Sequence, residues 1–214
     1  MNNGKKVLII GLTLLTGFTY SAGAVTKDMK KVVDEALEFS VKQSMSMFNE
    51  MKDQKGILPR TAKDGKMITC ESAWWTSGFY PGSLWYCYEY SNDPQVRAAA
   101  EEMTSRVEKQ KYTTSNHDVG FIINCSFGNG YRLTHNETYR EVIETAAKSL
   151  STRFHPVTRC TRSWNSKKWQ FSVIIDNMMN LELLNVASSL TGDNTYYNMA
   201  KSHADRTMIN HFRP

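Results

Sequence analysis

Apolar residues recur along most of this chain at the spacing of α-helices. From Lys27 to about Lys52 the apolar positions fall on one face of a helix. A loop containing Pro59, Asp64 and Gly65 follows. Further helices are predicted around Pro81–Tyr88, from Pro94 to about Lys111, from Asp118 to about Phe127, from Glu137 to about Arg153, from about Val173 to Leu190, and from Thr195 to about His211.

Three segments resemble copies of one helical hairpin. In each, an apolar helix, a turn at Asn or Asp and an amphipathic helix follow one another, with turns at Asn92-Asp93, His135-Asn136 and Asp193-Asn194. We expect the apolar helices to be inner and the amphipathic ones outer. The repeat is longer and less regular than the roughly 34 residues of a tetratricopeptide unit, which favours a closed ring over an open solenoid. About seven helices are predicted, so we expect only part of such a ring, as in a truncated chain.

The first 24 residues have the pattern of an export signal. Met1–Lys6 is short and basic, and Val7–Tyr20 is an apolar run that is too short to span a bilayer comfortably. Ala22 and Ala24 form a small-x-small cleavage pattern. We therefore expect removal of residues 1–24, export to the periplasm, and no membrane span in the remaining chain.

Charge and cysteine content exclude some classes of function. The formal net charge is +5 and the predicted signal carries two lysines and no acid, so the rest carries +5 − 2 = +3. This weakly favours an anionic partner, and the absence of a Lys/Arg-rich run argues against nucleic acid. The spacings of the four cysteines match no zinc-binding pattern. For Cys87 and Cys125 buried free thiols are favoured over a disulfide, although export leaves both open.

The starts of the three inner helices carry residues suited to glycoside chemistry. Trp75-Thr76, His117-Asp118 and Asp176 precede the three hairpin turns by similar distances. A ring of hairpins would bring them to one end, where an aromatic surface and two carboxylates could act on a sugar. The alternative is that both aspartates only cap their helices.

Apolar neighbours distinguish Asp176 from an ordinary capping residue. Ile174 and Ile175 precede it and Met178 and Met179 follow it, so we expect its carboxylate to be poorly solvated. Burial together with a neighbouring carboxylate would raise the pKa of one of the two acids. That acid could then hold a proton near neutral pH.

Several strings resemble one known family across nearly all of the chain after residue 24. They are WTSGFYPG from Trp75, HDVGF from His117, SFGNGYRL from Ser126, IDNMMN from Ile175 and HFRP from His211. Together they resemble the unsaturated glucuronyl hydrolases of glycoside hydrolase family 88. The resemblance implies an all-α (α/α)6 barrel, of which residues 25–214 are the N-terminal part, and a hydrolase without metal or organic cofactor. The implied substrates are lyase products with a 4,5-unsaturated uronic acid at the non-reducing end.

The resemblance also implies roles for individual residues. Asp176 would be the general acid/base that protonates carbon 4 of the sugar and activates the water that adds at carbon 5. Asp118 would hold ring hydroxyls and tune the pKa of Asp176. His117 and Trp75 would line the sugar subsite, and Trp164 is the expected aromatic wall.

Competing interpretations remain at this point. Trp75 could belong to the core, His117 could cap its helix, and Trp169 competes with Trp164. Asn177 and Asn180 are interpreted as satisfied core amides and left out of the site. The whole chain could instead be an unsaturated rhamnogalacturonyl hydrolase or a non-catalytic helical-repeat scaffold that binds sugars or partners.

Overall fold

The structure, a computed structural model, describes residues 27–212. The predicted export signal therefore lies outside the described residues. The helices are α1 Lys27–Met51, α2 Phe79–Ser91, α3 Pro94–Ser105, α4 Val119–Ile123, α5 Asn129–Thr134, α6 Glu137–Ser151, α7 Asn177–Asn180, α8 Glu182–Thr191 and α9 Asn194–His211. The strands are β1 Ile57–Lys63, β2 Lys66–Glu71, β3 Phe154–His155 and β4 Cys160–Thr161.

The segment after α1 is a β-hairpin, so the prediction of a loop there was wrong. Strands β1 and β2 pair antiparallel, with an irregularity between Pro59 and Thr61. Asp64 and Gly65 connect them with φ values of 50° and 71°. Two consecutive residues with positive φ match the right-handed twist of a two-residue hairpin, and Asp-Gly is a preferred pair for this turn. The same dipeptide was the available sequence signal for the hairpin.

The three predicted helical hairpins share one turn geometry. Each first helix ends at a residue in the left-handed conformation, and the next residue accepts a hydrogen bond from the backbone N–H two positions on. The side-chain oxygen thereby satisfies one of the free backbone N–H groups at the start of the second helix. The pairs of terminating and capping residues are Asn92 with Asp93, His135 with Asn136, and Gly192 with Asp193.

The second hairpin differs from the sequence prediction, which broke its first helix at Gly128–Gly130. The chain stays helical there: α4 passes through a π-helical turn, Asn124–Gly128, into α5. Gly130 serves close packing, because a Cβ at this position would lie 2.7 Å from the ring of Tyr139 and 2.9 Å from that of Trp85. The prediction mistook a packing glycine for a helix breaker.

Two other helix boundaries also differ from the prediction. The helix after Asp93 ends at Ser105 rather than near Lys111, and a 3₁₀ helix, Glu108–Tyr112, follows it. The third inner helix begins at Asn177 rather than near Val173.

The first helices of the three hairpins pack side by side and share a concave face. A cavity of about 670 Å³ on this face is lined by residues from α2, the π turn, α5 and α8, and by none from α3, α6 or α9. The amphipathic second helices pack on the other side, where Val142, Ile143, Ala146 and Leu150 of α6 are fully or almost fully buried. The predicted inner and outer helices are thus confirmed.

Two expectations about the chain as a whole can be compared with the described residues. Within 27–212 no helix combines the length and apolarity needed to cross a bilayer. All four cysteines, which fall in this range, are free thiols. Cys87 is buried, as predicted, whereas Cys125 is only partly buried.

Candidate active site

His117 brings the two predicted catalytic aspartates together. Its Nε2 lies 3.5 Å from Oδ1 of Asp118 and 3.9 Å from Oδ1 of Asp176. The imidazole is buried, with 1% of its side chain exposed, whereas the carboxylates of Asp118 and Asp176 keep 22% and 36% exposure. Acids that are 58 positions apart in the sequence thus meet around one imidazole at the end of the inner helices.

Neither aspartate caps its helix, although each occupies the residue directly before one. The side chains of Asp118 and Asp176 accept no capping hydrogen bond, and both residues have helical φ and ψ. By contrast, Asp93, Asn136 and Asp193 all make the capping bond. The capping alternative is therefore wrong for Asp118 and Asp176, whose carboxylates are not occupied by their own helices.

Close backbone packing places the two helix starts next to each other. A Cβ on Gly120 would lie 2.3 Å from the carbonyl oxygen of Asn180, so α4 and α7 touch there. The backbone N–H of Phe121 also donates to Oδ1 of Asn180 at 2.8 Å. These contacts, two and three residues after Asp118, fix the separation between the two acids.

Buried polar groups hold the backbone and the ring of His117 in place through hydrogen bonds. The backbone N–H of His117 donates to the carbonyl oxygen of Ser163 at 2.8 Å, and Nδ1 of its ring is hydrogen-bonded to Oδ1 of Asn177. Asn177 is itself fully buried and donates to the hydroxyl of Ser163. Sequence reasoning left Asn177 out as a core amide. The available signal was its spacing from Asn180, which puts two amides on the same side of a short helix start.

The surroundings of Asp118 shift the pKa of its carboxyl group. Burial raises the pKa of Asp118, and the negative charge of Asp176 adds to this, while His117 and Arg153 act in the opposite direction. Arg153 is itself buried and donates to the carbonyl oxygens of Arg162 and Thr114. The expected rise in the pKa of one acid thus falls on Asp118.

The expected solvation of Asp176 needs correction. Ile175 and Met179, which were expected to shield it, are themselves 55% and 60% exposed. One oxygen of the carboxylate is nevertheless buried and has no hydrogen-bond partner. Asp176 thus combines access from solvent with an unsatisfied oxygen that faces His117.

Of the three candidate tryptophans, Trp164 packs against this cluster, and Trp75 packs on Phe121, three residues after Asp118. The ring of Trp164 packs edge-on against His117, with 6.1 Å between ring centroids. Trp75 contacts Phe79 and Phe121 at 5.7 and 6.2 Å between centroids and is 44% exposed, so it is not a core residue like Trp85. The ring of Trp169 contacts Lys168, and its backbone N–H donates to Oγ of Ser166. The geometry favours Trp164 over Trp169 as the aromatic wall.

The same cluster has a composition that a cation could accept. One ligand atom from each of His117, Asp118 and Asp176 lies within 4.8 Å of the others. One imidazole nitrogen and two carboxylate oxygens are suitable ligands for several divalent metals. Acidic groups at this spacing are also common without an ion, and the expectation of a metal-free site stays a prediction.

Comparisons with known proteins agree with the fold. No model of a protein family matches the chain. An unsaturated glucuronyl hydrolase of Formosa agariphila is 46% identical over 143 residues, which is 65% of this chain and 36% of that protein. An unsaturated chondroitin disaccharide hydrolase of Streptococcus pyogenes is 31% identical over 178 residues, or 80% of this chain and 44% of that protein.

Over the part of their length that it spans, the chain is similar to the unsaturated glucuronyl hydrolases. A solved unsaturated glucuronyl hydrolase specific for heparin has a TM-score of 0.77 and 38% identity, with 84% of this chain and 49% of that chain covered. The corresponding enzyme from Bacillus sp. GL1 has a TM-score of 0.74 and 25% identity, with 83% and 49% covered.

These matches confirm the predicted fold class, an (α/α)6 barrel of helical hairpins of which this chain forms a part. The chain spans less than half the length of the relatives described above.

Proposed function

We propose that this chain is part of a glycoside hydrolase that removes 4,5-unsaturated glucuronic acid from the non-reducing end of glycosaminoglycan lyase products. The observation that carries the proposal is the meeting of Asp118 and Asp176 around His117, against which Trp164 packs. Similar proteins are named as hydrolases of unsaturated glucuronyl and chondroitin disaccharide substrates. One similar structure is described as specific for heparin.

In the proposed reaction Asp176 acts first as an acid and then as a base. It gives a proton to carbon 4 of the enol ether, and positive charge develops at carbon 5. The carboxylate that remains takes a proton from a water molecule, whose oxygen adds to carbon 5. The resulting hemiketal opens and expels the rest of the sugar. The partial exposure of Asp176 and its unsatisfied oxygen support this assignment.

Asp118 is proposed to hold ring hydroxyls and to influence the proton affinity of Asp176. The two carboxylates face the same imidazole nitrogen, so the charge state of one affects the other. His117 and Trp75 line the proposed sugar subsite, and Trp164 forms its aromatic wall. Aromatic rings stack on the apolar faces of sugars while the carboxylates meet the hydroxyls.

The proposed cellular location is outside the cytoplasm. Residues 1–24 have the composition of an export signal, and cleavage after Ala24 would release residues 25–214 as the N-terminal part of the catalytic domain. The proposed location is the periplasm. N-terminal sequencing of the protein recovered from a periplasmic extract tests this, and a protein that retains Met1 in the cytoplasm would exclude it.

The activity is tested by following the absorbance of the substrate double bond. Lyase-made chondroitin and heparin disaccharides should lose this absorbance on incubation, whereas an unsaturated rhamnogalacturonan disaccharide should not. The assay is run on this chain and on a chain extended to the length of its relatives. Asp176→Asn should abolish turnover and leave sugar binding intact. Wild-type turnover by Asp176→Asn, or hydrolysis of the rhamnogalacturonan substrate alone, would overturn the proposal.

A further inference from the structure

The side-chain amide of Asn177 has only one orientation that satisfies its neighbours. Its Nδ2 donates to the backbone carbonyl oxygen of Thr161 at 3.2 Å and to Oγ of Ser163 at 2.8 Å. A backbone carbonyl can only accept, so the NH₂ end of the amide must face Thr161. The oxygen end, Oδ1, therefore faces Nδ1 of His117.

This orientation decides where His117 carries a proton. An amide oxygen can only accept a hydrogen bond, so Nδ1 must be the protonated nitrogen in the contact with Asn177. The other ring nitrogen, Nε2, then faces Asp118 and Asp176 at 3.5 and 3.9 Å. A proton that enters or leaves the ring does so at Nε2, between the two carboxylates.

We propose that Asn177 is a positioning residue. Its hydrogen bond keeps the proton of the neutral His117 ring on Nδ1, which leaves Nε2 to form hydrogen bonds with Asp118 and Asp176. In this form Nε2 can accept a hydrogen bond from whichever carboxylic acid is protonated, and its protonated form can donate to either carboxylate. The catalytic value of this arrangement rests on the proposed function. The position of the proton does not, because the contacts of Asn177 alone define it.

The surroundings of Asn177 fix the orientation of its side-chain amide. The residue is fully buried, and the hydroxyl of Ser163 that accepts from it also accepts from the backbone N–H of Ile174 at 3.1 Å. Rotating the amide would leave the carbonyl oxygen of Thr161 without its donor and set two oxygens against each other there. Leaving a buried polar group unpaired is destabilising.

Several charged or titratable groups lie around the imidazole ring of His117. Asp118 adjoins it in sequence, and Asp176 faces it from the start of α7. Arg153, at the end of α6, and His203, in α9, act on the cluster at longer range. None of them accepts the proton on Nδ1, which bonds Asn177.

Nitrogen NMR of the histidine rings tests the proposal directly. The chain is labelled with ¹⁵N, and the ring signals of His117 are assigned by their loss in His117→Gln. Nδ1 should remain protonated at every pH at which the chain is folded, with any titration confined to Nε2. In Asn177→Leu the acceptor is gone, and Nδ1 should lose its proton when the ring becomes neutral.

The matched control is Asn180→Leu, which removes an equally buried amide from the same helix. Asn180 bonds the backbone N–H of Phe121 and the carbonyl oxygen of Asp176 and has no hydrogen bond to the imidazole. This variant should keep the wild-type pattern of His117. An Nδ1 that loses its proton in the wild-type chain would overturn the proposal even if neither variant folds. So would a folded Asn177→Leu that keeps Nδ1 protonated after the ring becomes neutral.

Discussion

Gly120 lies against Asn180 so closely that a single added Cβ would come 2.3 Å from the carbonyl oxygen of Asn180 and 2.6 Å from its Cα. The same arrangement recurs one hairpin earlier, where a Cβ on Gly78 would lie 2.3 Å from the carbonyl oxygen of Ile122. Successive inner helices thus meet through a glycine at the same end of the concave face. This contact sets how far apart the acids of neighbouring helices stand.

Adding a methyl group at Gly120 should therefore disturb both stability and site geometry. Because the obstacle is backbone rather than a flexible side chain, Gly120→Ala should lower the free energy of unfolding by about 1–3 kcal/mol or more. It should also lower the proposed turnover, since it pushes Asp118 away from Asp176. Urea unfolding and the disaccharide assay measure the two effects.

Gly56→Ala is the control for this substitution. Gly56 has φ +76° but open space where a Cβ would stand, so the change should cost only about 1 kcal/mol and leave turnover unchanged. Equal losses of stability and activity in the two variants would contradict the role given to the Gly120 contact.

Removing the charge of Asp118 should stabilise the fold near neutral pH. Its pKa is raised in the folded state by burial, so stability falls as the pH rises through that pKa and the carboxylate ionises. Asp118→Asn cannot ionise and avoids this loss. Its free energy of unfolding should exceed that of the wild type at pH 7, with the difference shrinking as the pH is lowered.

Asn136→Ala is the contrasting substitution. Asn136 accepts from the N–H of Thr138 and caps α6, so its removal should cost about 1 kcal/mol at any pH. If Asp118→Asn lost as much stability as Asn136→Ala, the prediction would be wrong. The Asp118 side chain would then stabilise the fold although it makes no capping hydrogen bond.

The buried imidazole of His203 should make the protein sensitive to acid. Burial lowers its pKa to about 4, with smaller contributions from His211 and His117, and Nδ1 accepts from the backbone N–H of Thr161. The unfolded chain takes up this proton near the ordinary value of 6.5, before the folded chain does. The stabilisation is thus complete above pH 6.5 and is lost between pH 6.5 and about 4.

This loss amounts to about 3 kcal/mol at about 1.4 kcal/mol for each pKa unit. Free energies of unfolding are compared for the wild type and His203→Gln between pH 7 and pH 4. The variant should be less stable at pH 7, and the gap should narrow by roughly this amount as the pH falls. A gap that stays constant would show that His203 does not titrate as described.

The two tryptophans of the loop before α7 should contribute unequally to sugar binding. Trp164 packs against His117, whereas Trp169 is more than half exposed and contacts Lys168. Trp164→Ala should weaken binding of an unsaturated disaccharide about tenfold, or 1.4 kcal/mol, and Trp169→Ala should change it little. Calorimetric titration of inactive Asp176→Asn carrying either substitution measures this. A larger loss from Trp169→Ala would reverse the assignment.

Much of the secondary structure was predictable because its causes are local. Asp93, Asn136 and Asp193 each cap the helix that follows, and Pro94 stands at a helix start where proline is tolerated. The β-hairpin was missed although Asp64-Gly65 favours it, because proline and charged residues obscured the alternation of the strands. Gly130 was misjudged because its reason, the rings of Trp85 and Tyr139, comes from other helices.

For the site, the sequence by itself determined which residues are available and at which helix starts they stand. Asp118, Asp176, His117, Trp75 and Trp164 could be named from spacing and from the resemblance of their surrounding strings. Only the tertiary structure decided that the two acids share one imidazole, that burial raises the pKa of Asp118, and that Asn177 orients the ring. The physical reason is that solvation and hydrogen-bond direction depend on groups brought in from other parts of the chain, which no local pattern encodes.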